Sequence, residues 1–177
     1  MDTNREVDAA MAGCRQIFEA KLRDYGPSWR IMRPCSVTDQ IFIKAKRIRS
    51  IETKGKQAVD DGVLSEFRAI VNYGIVGIIQ LKKGYVDAKD MEADEAMRLY
   101  DTVAGEARAL LNKKNHDYDE AWRGMRIASY TDFILTKIER IKEIEDHGGE
   151  VAVSEGIDAN YMDIINYAVF GIIKLTE

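Results

Sequence analysis

The sequence predicts an all-α fold in which two tandem three-helix repeats pack as an intramolecular, pseudo-dimeric helical bundle. The first observation is a repeat: residues 24–52 return as residues 117–145 without a gap, with 15 identities in 29 positions. A second block, residues 70–81, returns as residues 164–175. The third observation is that the 177-residue chain contains two prolines and no segment that alternates convincingly at the period of a strand.

Each copy is expected to contain three helices. Apolar residues recur at helical spacing over residues 4–23 and again over residues 93–114, and an aromatic, basic loop follows each stretch. A second helix is expected to start near Ser36 or Thr38 in the first copy and near Ser129 or Thr131 in the second, since all four are good N-cap residues. A third, strongly apolar helix ends each copy.

The repeat divides the chain into residues 1–82, a linker at 83–92, and residues 93–177, which together form one compact unit. The apolar third helices are the expected seam between the copies, because Gly77 and Gly171 allow two helices to approach closely. A pocket between the copies would then be lined by the same residues twice.

Composition narrows the classes of function. The formal net charge of −4 disfavours a nucleic-acid partner, which would need a basic field. Cys14 and Cys35 have no cysteine counterparts in the second copy, so neither a shared disulfide framework nor a metal knuckle is implied. The polar amino terminus is not a secretory leader, and no apolar run approaches the roughly 18 residues of a membrane span. We therefore expect a cytoplasmic protein with no membrane partner.

The loop motif Asp-Tyr-x-x-x-Trp-Arg-x-Met-Arg occurs in both copies. Tyrosine and tryptophan offer flat faces for a nucleobase, and arginine offers a planar fork for phosphate oxygens. The loop candidates for nucleotide binding are Asp24, Tyr25, Trp29, Arg30, Arg33, Asp117, Tyr118, Trp122, Arg123 and Arg126. The alternative is structural: the aromatic rings plug the helix junction while an aspartate–arginine pair pins the loop.

The second helix of each copy carries two cations one turn apart, which together form a good anion site. The candidates there are Asp39, Lys44, Arg47, Asp132, Lys137 and Arg140. The alternative is surface salt-bridging to Asp39 or Glu52, which would be worth little. The anion site is preferred because the cations persist in both copies while neighbouring apolar residues have drifted.

Acidic residues cluster on the third helix of the second copy. Glu155, Asp158 and Asp163 project within a common arc, which suits the oxygen ligands of Mg²⁺. The matching first-copy positions are Asp61, Leu64 and Ala69, so this cluster is largely lost there. The alternative to a metal site is that these acidic residues lie at the start of a helix, where they interact favourably with the helix dipole.

Each apolar third helix contains an Asn-Tyr pair, namely Asn72-Tyr73 and Asn166-Tyr167. We expect this pair to form a hydrogen-bonded contact between helices or part of a pocket wall. No Ser-His-Asp, Cys-His or P-loop constellation occurs, and neither histidine has a histidine counterpart in the other copy. Catalytic residues therefore stay unassigned.

The order Lys-x-x-Asp-Tyr, Lys-x-x-Arg and then Asp-x-x-x-Tyr resembles the family called nucleotide modification associated domain 1 (DUF1599), in its duplicated form. The matching residues are Lys21, Asp24, Tyr25, Gly26, Lys44, Arg47 and Tyr73, then Lys114, Asp117, Tyr118, Lys137, Arg140, Glu155, Asp163 and Tyr167. The resemblance implies an all-helical protein of nucleotide or modified-base metabolism.

More distantly, the acidic third helix resembles the all-α nucleotide pyrophosphohydrolases of the MazG and dimeric dUTPase kind, which hydrolyse nucleoside triphosphates with Mg²⁺. The chain departs from their carboxylate pattern, since Glu66 is followed by Ala69 and Asn160 by Asp163 at the corresponding spacing. The sequence therefore predicts a nucleotide-binding protein. If the protein is an enzyme, the expected reaction is Mg²⁺-dependent hydrolysis of a nucleoside triphosphate to the monophosphate and pyrophosphate. The rival hypothesis is a non-catalytic helical nucleotide sensor or interaction module. Binding of single-stranded nucleic acid is a third hypothesis, which the negative net charge disfavours. Association of two chains is left open.

Overall fold

The computed structural model describes residues 2–55, 62–152 and 155–177, and these residues form six α-helices. The helices are α1 (Thr3–Tyr25), α2 (Pro34–Lys54), α3 (Val63–Lys83), α4 (Ala93–Tyr118), α5 (Ile127–Asp146) and α6 (Ile157–Thr176). Short 3₁₀ turns at Ser28–Ile31 and Ala121–Gly124 occupy the two loops. The all-α prediction of three helices per copy is confirmed. None of the described helices combines the length and the apolar character needed to cross a bilayer.

The second helix of each copy starts earlier than predicted. Arg33 is the N-cap of α2 and Pro34 its first residue, while α5 begins one residue after Arg126. The N-cap prediction at Ser36, Thr38, Ser129 or Thr131 is therefore wrong. Proline favours the first helical position because its ring fixes φ and it lacks the N–H that would be unpaired there.

The two copies pack about a pseudo-twofold axis, and α3 with α6 makes the most extensive contact. A Cβ atom added at Gly77 would lie 2.9 Å from the Tyr161 ring, and one added at Gly171 would lie 3.0 Å from the Phe67 ring. Tyr161 is the repeat counterpart of Phe67, so this is one contact made twice. The predicted seam and the role of its two glycines are confirmed.

Helices α1 and α4 follow the same symmetry on the outside of the bundle. Arg15 donates to Asp101 over 2.7 Å, and Arg108, its repeat counterpart, donates to Asp8 over 2.8 Å. Reciprocal pairs of this kind are the signature of a self-complementary dimer interface. Here both halves of that interface lie in one chain.

Candidate functional site

Each copy encloses its own pocket. The first pocket, of about 600 Å³, lies between α1, the 3₁₀ turn, α2 and α3, and its wall includes Lys21, Trp29, Lys44, Glu66, Arg68 and Asn72. The second pocket, of about 280 Å³, lies between α4, its 3₁₀ turn, α5 and α6, and its wall includes Lys114, Trp122, Phe133, Asp163, Asn166, Tyr167 and Phe170. Among the described residues these paired pockets lie within the copies. The prediction that one pocket between the copies is lined by the same residues twice is therefore wrong, because the shared rings and lysines line one pocket in each copy.

The two pockets are built from repeat counterparts. The pairs that line both are Lys21 and Lys114, Tyr25 and Tyr118, Trp29 and Trp122, Met32 and Met125, Asn72 and Asn166, and Tyr73 and Tyr167. Identical residues in both copies therefore mark equivalent walls. The Asn-Tyr pair of the third helix lines the pocket in each copy, which was one of its two predicted roles. Asn72 also makes the predicted inter-helix contact, through hydrogen bonds to α1 and α4.

One apolar substitution explains much of the difference in volume. In the second copy Phe170 stacks on Trp122, with ring centroids 4.5 Å apart and an interplanar angle of 13°. In the first copy Val76 stands at the position of Phe170, so Trp29 has no such ring to stack on. Its indole instead lies tilted against Phe18 at 6.0 Å. The first pocket is the larger of the two, and a valine in place of the phenyl ring contributes to this difference.

Cations and one acid meet at the first pocket. Glu66 is buried; its Oε1 accepts a hydrogen bond of 2.9 Å from Arg47, and its Oε2 lies 3.9 Å from the Lys44 ammonium. Lys21 and Arg68 also line this pocket. Among the described residues, Lys44 and Arg47 of the second helix thus share Glu66 of α3 as an ion-pair partner, which differs from the predicted pairing with Asp39 or Glu52. More positive than negative side chains surround this cavity, which suits an anionic ligand.

The second pocket balances its charges differently. Buried Asp163 accepts hydrogen bonds from Lys114 over 2.5 Å and from Lys137 over 2.9 Å. Burial alone would raise the pKa of Asp163, but the two ammonium groups outweigh it and hold that pKa below its usual range. Asp163 is therefore a charged carboxylate already held by two lysines.

The three predicted Mg²⁺ ligands do not converge. Asp163 is engaged by lysines, whereas Glu155 precedes α6 and Asp158 lies in its first turn, both exposed. Within the described ranges no three His, Cys, Asp or Glu side chains are grouped to hold a metal ion. Asp61, the first-copy counterpart of Glu155, lies outside those ranges. The residues present do not fit a magnesium centre, because the buried carboxylate already has cationic partners.

Arg30 does not face a ligand site. Its side chain is 1% exposed and donates to Asp90 over 3.0 Å, to the Gly84 carbonyl over 2.8 Å, and to Gln80. The predicted phosphate contact of Arg30 is therefore wrong. The guanidinium pins the loop to the connection between the copies, as the structural alternative required, with Asp90 in place of Asp24.

Arg123 pins the second loop in the same manner. It lies over the Trp122 ring at 4.4 Å and forms ion pairs of 3.1 Å with Glu6 of α1 and with Glu120. The loop is thereby attached to the start of the first helix. The prediction that Arg123 holds phosphate is corrected, since its fork is occupied by carboxylates.

The remaining predicted residues divide between pocket walls and open surface. Tyr25 and Tyr118 are exposed and border the first and second pockets. Lys137, Arg140 and Glu155 line a separate, more open depression of about 940 Å³. The others are exposed and absent from both pocket walls: Asp24, Arg33, Asp39, Asp117, Arg126 and Asp132. Arg33 lies over the Tyr85 ring, and Asp132 pairs with Arg49.

Unpaired buried polar atoms mark both pockets. Among the described residues, the buried side-chain atoms without a hydrogen-bond partner are Trp29 Nε1, Glu66 Oε2, Arg68 Nε, and Asn166 Nδ2 and Oδ1. All four residues line one of the two pockets. Buried polar atoms are nearly always paired in folded proteins, so orphans gathered at a cavity indicate a ligand or ordered water there.

Arg68 was missed by the sequence reasoning. Its repeat counterpart is Met162, so a search for residues shared by the two copies passes over it. The available signal was a charge within an apolar helix, since residues 70–79 that follow it are almost wholly apolar. Lys21 was part of the family pattern and is identical in both copies, where its counterpart is Lys114, but it was not among the predicted nucleotide-binding residues.

Comparison with known proteins agrees with this architecture. The family described as nucleotide modification associated domain 1 (DUF1599) matches residues 21–81 and again residues 114–175. The two matches cover more than half of the chain and include α2, α5 and most of α3 and α6, which line the two pockets. No curated protein and no solved structure matches the chain. The chain belongs to the nucleotide modification associated domain 1 family, in a duplicated form.

Proposed function

We propose that this protein is a nucleotide-binding module whose ligand occupies the first pocket. The observation that carries the proposal is the concentration of unpaired polar atoms there, on Trp29, Glu66 and Arg68. The cavity of about 600 Å³ is within the range of small-molecule sites. A role connected with nucleotides is also what the family description indicates.

The phosphate groups would be held by the cations of the pocket wall. Lys21, Lys44 and Arg68 come from α1, α2 and α3, so they can surround an anion from three directions. Among the described residues Glu66 is the single carboxylate in this wall, and Arg47 already donates to one of its oxygens. Phosphate oxygens would therefore meet lysine and arginine donors that the protein does not fully neutralise.

The base would be held by aromatic side chains. Trp29 presents an indole that is partly exposed, and its Nε1–H has no acceptor among the residues that the structure describes. A nucleobase offers a flat face for stacking and a carbonyl or ring-nitrogen acceptor for that N–H. Tyr25 and Tyr73 border the same space and supply further ring surface.

The proposal stops at binding and sensing. The hydrolase hypothesis needs carboxylates that together hold Mg²⁺, whereas Asp163 is paired with two lysines and Glu66 with Arg47 and Lys44. The resemblance to the pyrophosphohydrolases therefore stays a hypothesis from sequence. A sensor needs only the cations and rings that the first pocket provides.

The test is a calorimetric and thermal-shift titration with ribo- and deoxyribonucleoside triphosphates. At least one triphosphate is expected to raise Tm. Because a hydrogen bond to a charged group contributes about 1.5–3 kcal/mol, Lys44→Ala and Arg68→Ala should each weaken binding by about 10- to 100-fold. Lys46→Ala is the matched control, because Lys46 is exposed on the same helix and does not line the pocket.

Binding that is absent from every titration would contradict the proposal, as would Lys46→Ala behaving like Lys44→Ala. A parallel assay for released pyrophosphate separates the two functional classes. Release of pyrophosphate that depends on added Mg²⁺ would support the hydrolase hypothesis and contradict a purely sensing function.

A further inference from the structure

The second pocket holds a buried carboxamide that has no hydrogen-bond partner in the described part of the chain. Asn166 is 5% exposed, and both its Nδ2 and its Oδ1 lack hydrogen bonds. Its repeat counterpart Asn72 is satisfied, since it donates to the Cys14 carbonyl over 3.0 Å and accepts from the Tyr100 hydroxyl over 2.7 Å. The repeat position of Tyr100 is Val7, so the hydroxyl that would have paired with Asn166 is missing.

An unpaired buried amide is unfavourable unless something else satisfies it. The groups around it are largely aromatic: Trp122, Tyr130, Phe133, Tyr167 and Phe170 line the same cavity. A ring-lined slot with one donor and one acceptor side by side is complementary to a flat molecule that carries the opposite pair. Asparagine recognises the edge of a base in this way.

The charges of this pocket favour an uncharged ligand. The ammonium groups of Lys114 and Lys137 are both directed to Asp163, at 2.5 and 2.9 Å. The cavity of about 280 Å³ is also less than half as large as the first pocket. A triphosphate would have to displace Asp163 from its lysines, whereas a neutral ring would leave the three groups undisturbed.

We propose that the second pocket is a separate site for an uncharged planar heterocycle, the class of free nucleobases and nucleosides, with the Asn166 carboxamide as the group that reads the edge of the ring. The site uses the residues of the second copy. It is therefore independent of nucleotide binding in the first pocket.

The experiment titrates the intact protein with adenine, guanine, cytosine, uracil, hypoxanthine and their nucleosides, read by saturation-transfer NMR and by the shift in Tm. At least one of these probes is expected to bind. Asn166→Leu should weaken that binding at least tenfold and leave the unliganded protein as stable as before or more so, because it removes two unpaired polar atoms. Asn166→Ala, which fits without a clash, serves as the second variant.

Lys44→Ala is the control, because it alters the first pocket alone and should leave binding of the neutral probe unchanged. The proposal is overturned if no probe binds up to its solubility limit. It is also overturned if binding survives both Asn166 variants, or if Lys44→Ala removes it. In that last case the heterocycle occupies the first pocket and the nucleotide proposal is untouched.

Discussion

The Thr38 hydroxyl of α2 donates a hydrogen bond to the Glu145 carboxylate of α5 over 3.0 Å. Thr131 donates to Glu52 over 3.1 Å, and each of these residues is the repeat counterpart of one in the first pair. One contact is thus made twice where α2 crosses α5. Burial raises the pKa of Glu52 and of Glu145, and the threonine hydrogen bonds offset part of that shift. The interface therefore holds two carboxylates whose charged form is disfavoured.

These raised pKa values predict the sign of a pH effect. A carboxyl whose folded pKa lies above its unfolded pKa destabilises the fold while it is charged, so its contribution improves as pH falls from neutral through the raised folded pKa. The double variant Glu52→Gln, Glu145→Gln should therefore be more stable than wild type at pH 7. That advantage should shrink as the pH falls below the raised pKa.

Urea unfolding at a series of pH values measures this difference directly. Glu139→Gln is the control, because Glu139 is exposed on α5 and its replacement should change stability by less than about 0.5 kcal/mol. A double variant that is less stable than wild type at pH 7 would show that the charged carboxylates help to hold the interface.

The seam predicts opposite effects for two helical glycines. A side chain at Gly77 meets the buried Tyr161 ring at 2.9 Å, so Gly77→Leu should lower the free energy of unfolding by about 3 kcal/mol through overpacking. Gly105 of α4 is exposed with nothing within 4 Å of an added Cβ, so Gly105→Leu should gain about 0.5–1 kcal/mol from helix propensity. Denaturant unfolding of both variants checks the pair. Similar effects at the two sites would show that α3 and α6 are not closely apposed at Gly77.

Arg30 is predicted to stabilise the fold without contacting the ligand. Arg30→Met removes the bonds to Asp90 and the Gly84 carbonyl and leaves a buried acceptor on Gln80, which should cost about 3 kcal/mol of unfolding free energy. Arg33→Met, at an exposed position three residues away, should change stability by less than about 0.5 kcal/mol. Unfolding and nucleotide titration of the folded fraction are measured together. Normal stability with lost nucleotide binding would restore Arg30 as a phosphate ligand.

The difference between Val76 and Phe170 predicts that swapping these two side chains changes the sizes of the two pockets in opposite directions. Val76→Phe should place a ring against Trp29, as Phe170 lies against Trp122, and so reduce nucleotide affinity about tenfold or more by filling the cavity. Phe170→Val should widen the second pocket and lower stability by about 3 kcal/mol, because it removes a stacked ring. Calorimetric titration of each variant is the measurement. Unchanged affinity in Val76→Phe would place the nucleotide elsewhere.

Much of the architecture could be predicted because a repeat reveals symmetry without any structure. Gly77 and Gly171 were expected at a close helix contact, and the rings of Tyr161 and Phe67 lie against them. The shared Trp29 and Trp122 were expected at a ligand site, and both line pockets. Residues present in one copy alone, such as Arg68, could not be found by this comparison.

The loop arginines show why part of the candidate site could not be predicted. The direction of Arg30 depends on Asp90 and Gln80, which are separated from it by 60 and 50 residues. Such partners carry no local pattern, because a guanidinium binds a carboxylate of the protein as well as a phosphate. The same motif is therefore compatible with a ligand site or with a pinned loop.

By itself the sequence determined the duplicated helical unit, its apolar seam and the family to which the chain belongs, because periodicity and repetition are local properties of the chain. The tertiary structure alone decided that each copy encloses its own cavity. It also decided which cations reach a cavity wall, and that Asp163 is held by lysines instead of joining Glu155 and Asp158. These outcomes depend on how helices distant in sequence orient their side chains when they pack. The sequence shows that Val76 differs from Phe170 and that Tyr100 differs from Val7. Only the packed structure shows that the first difference alters a pocket wall and that the second leaves Asn166 without the hydroxyl that pairs with Asn72.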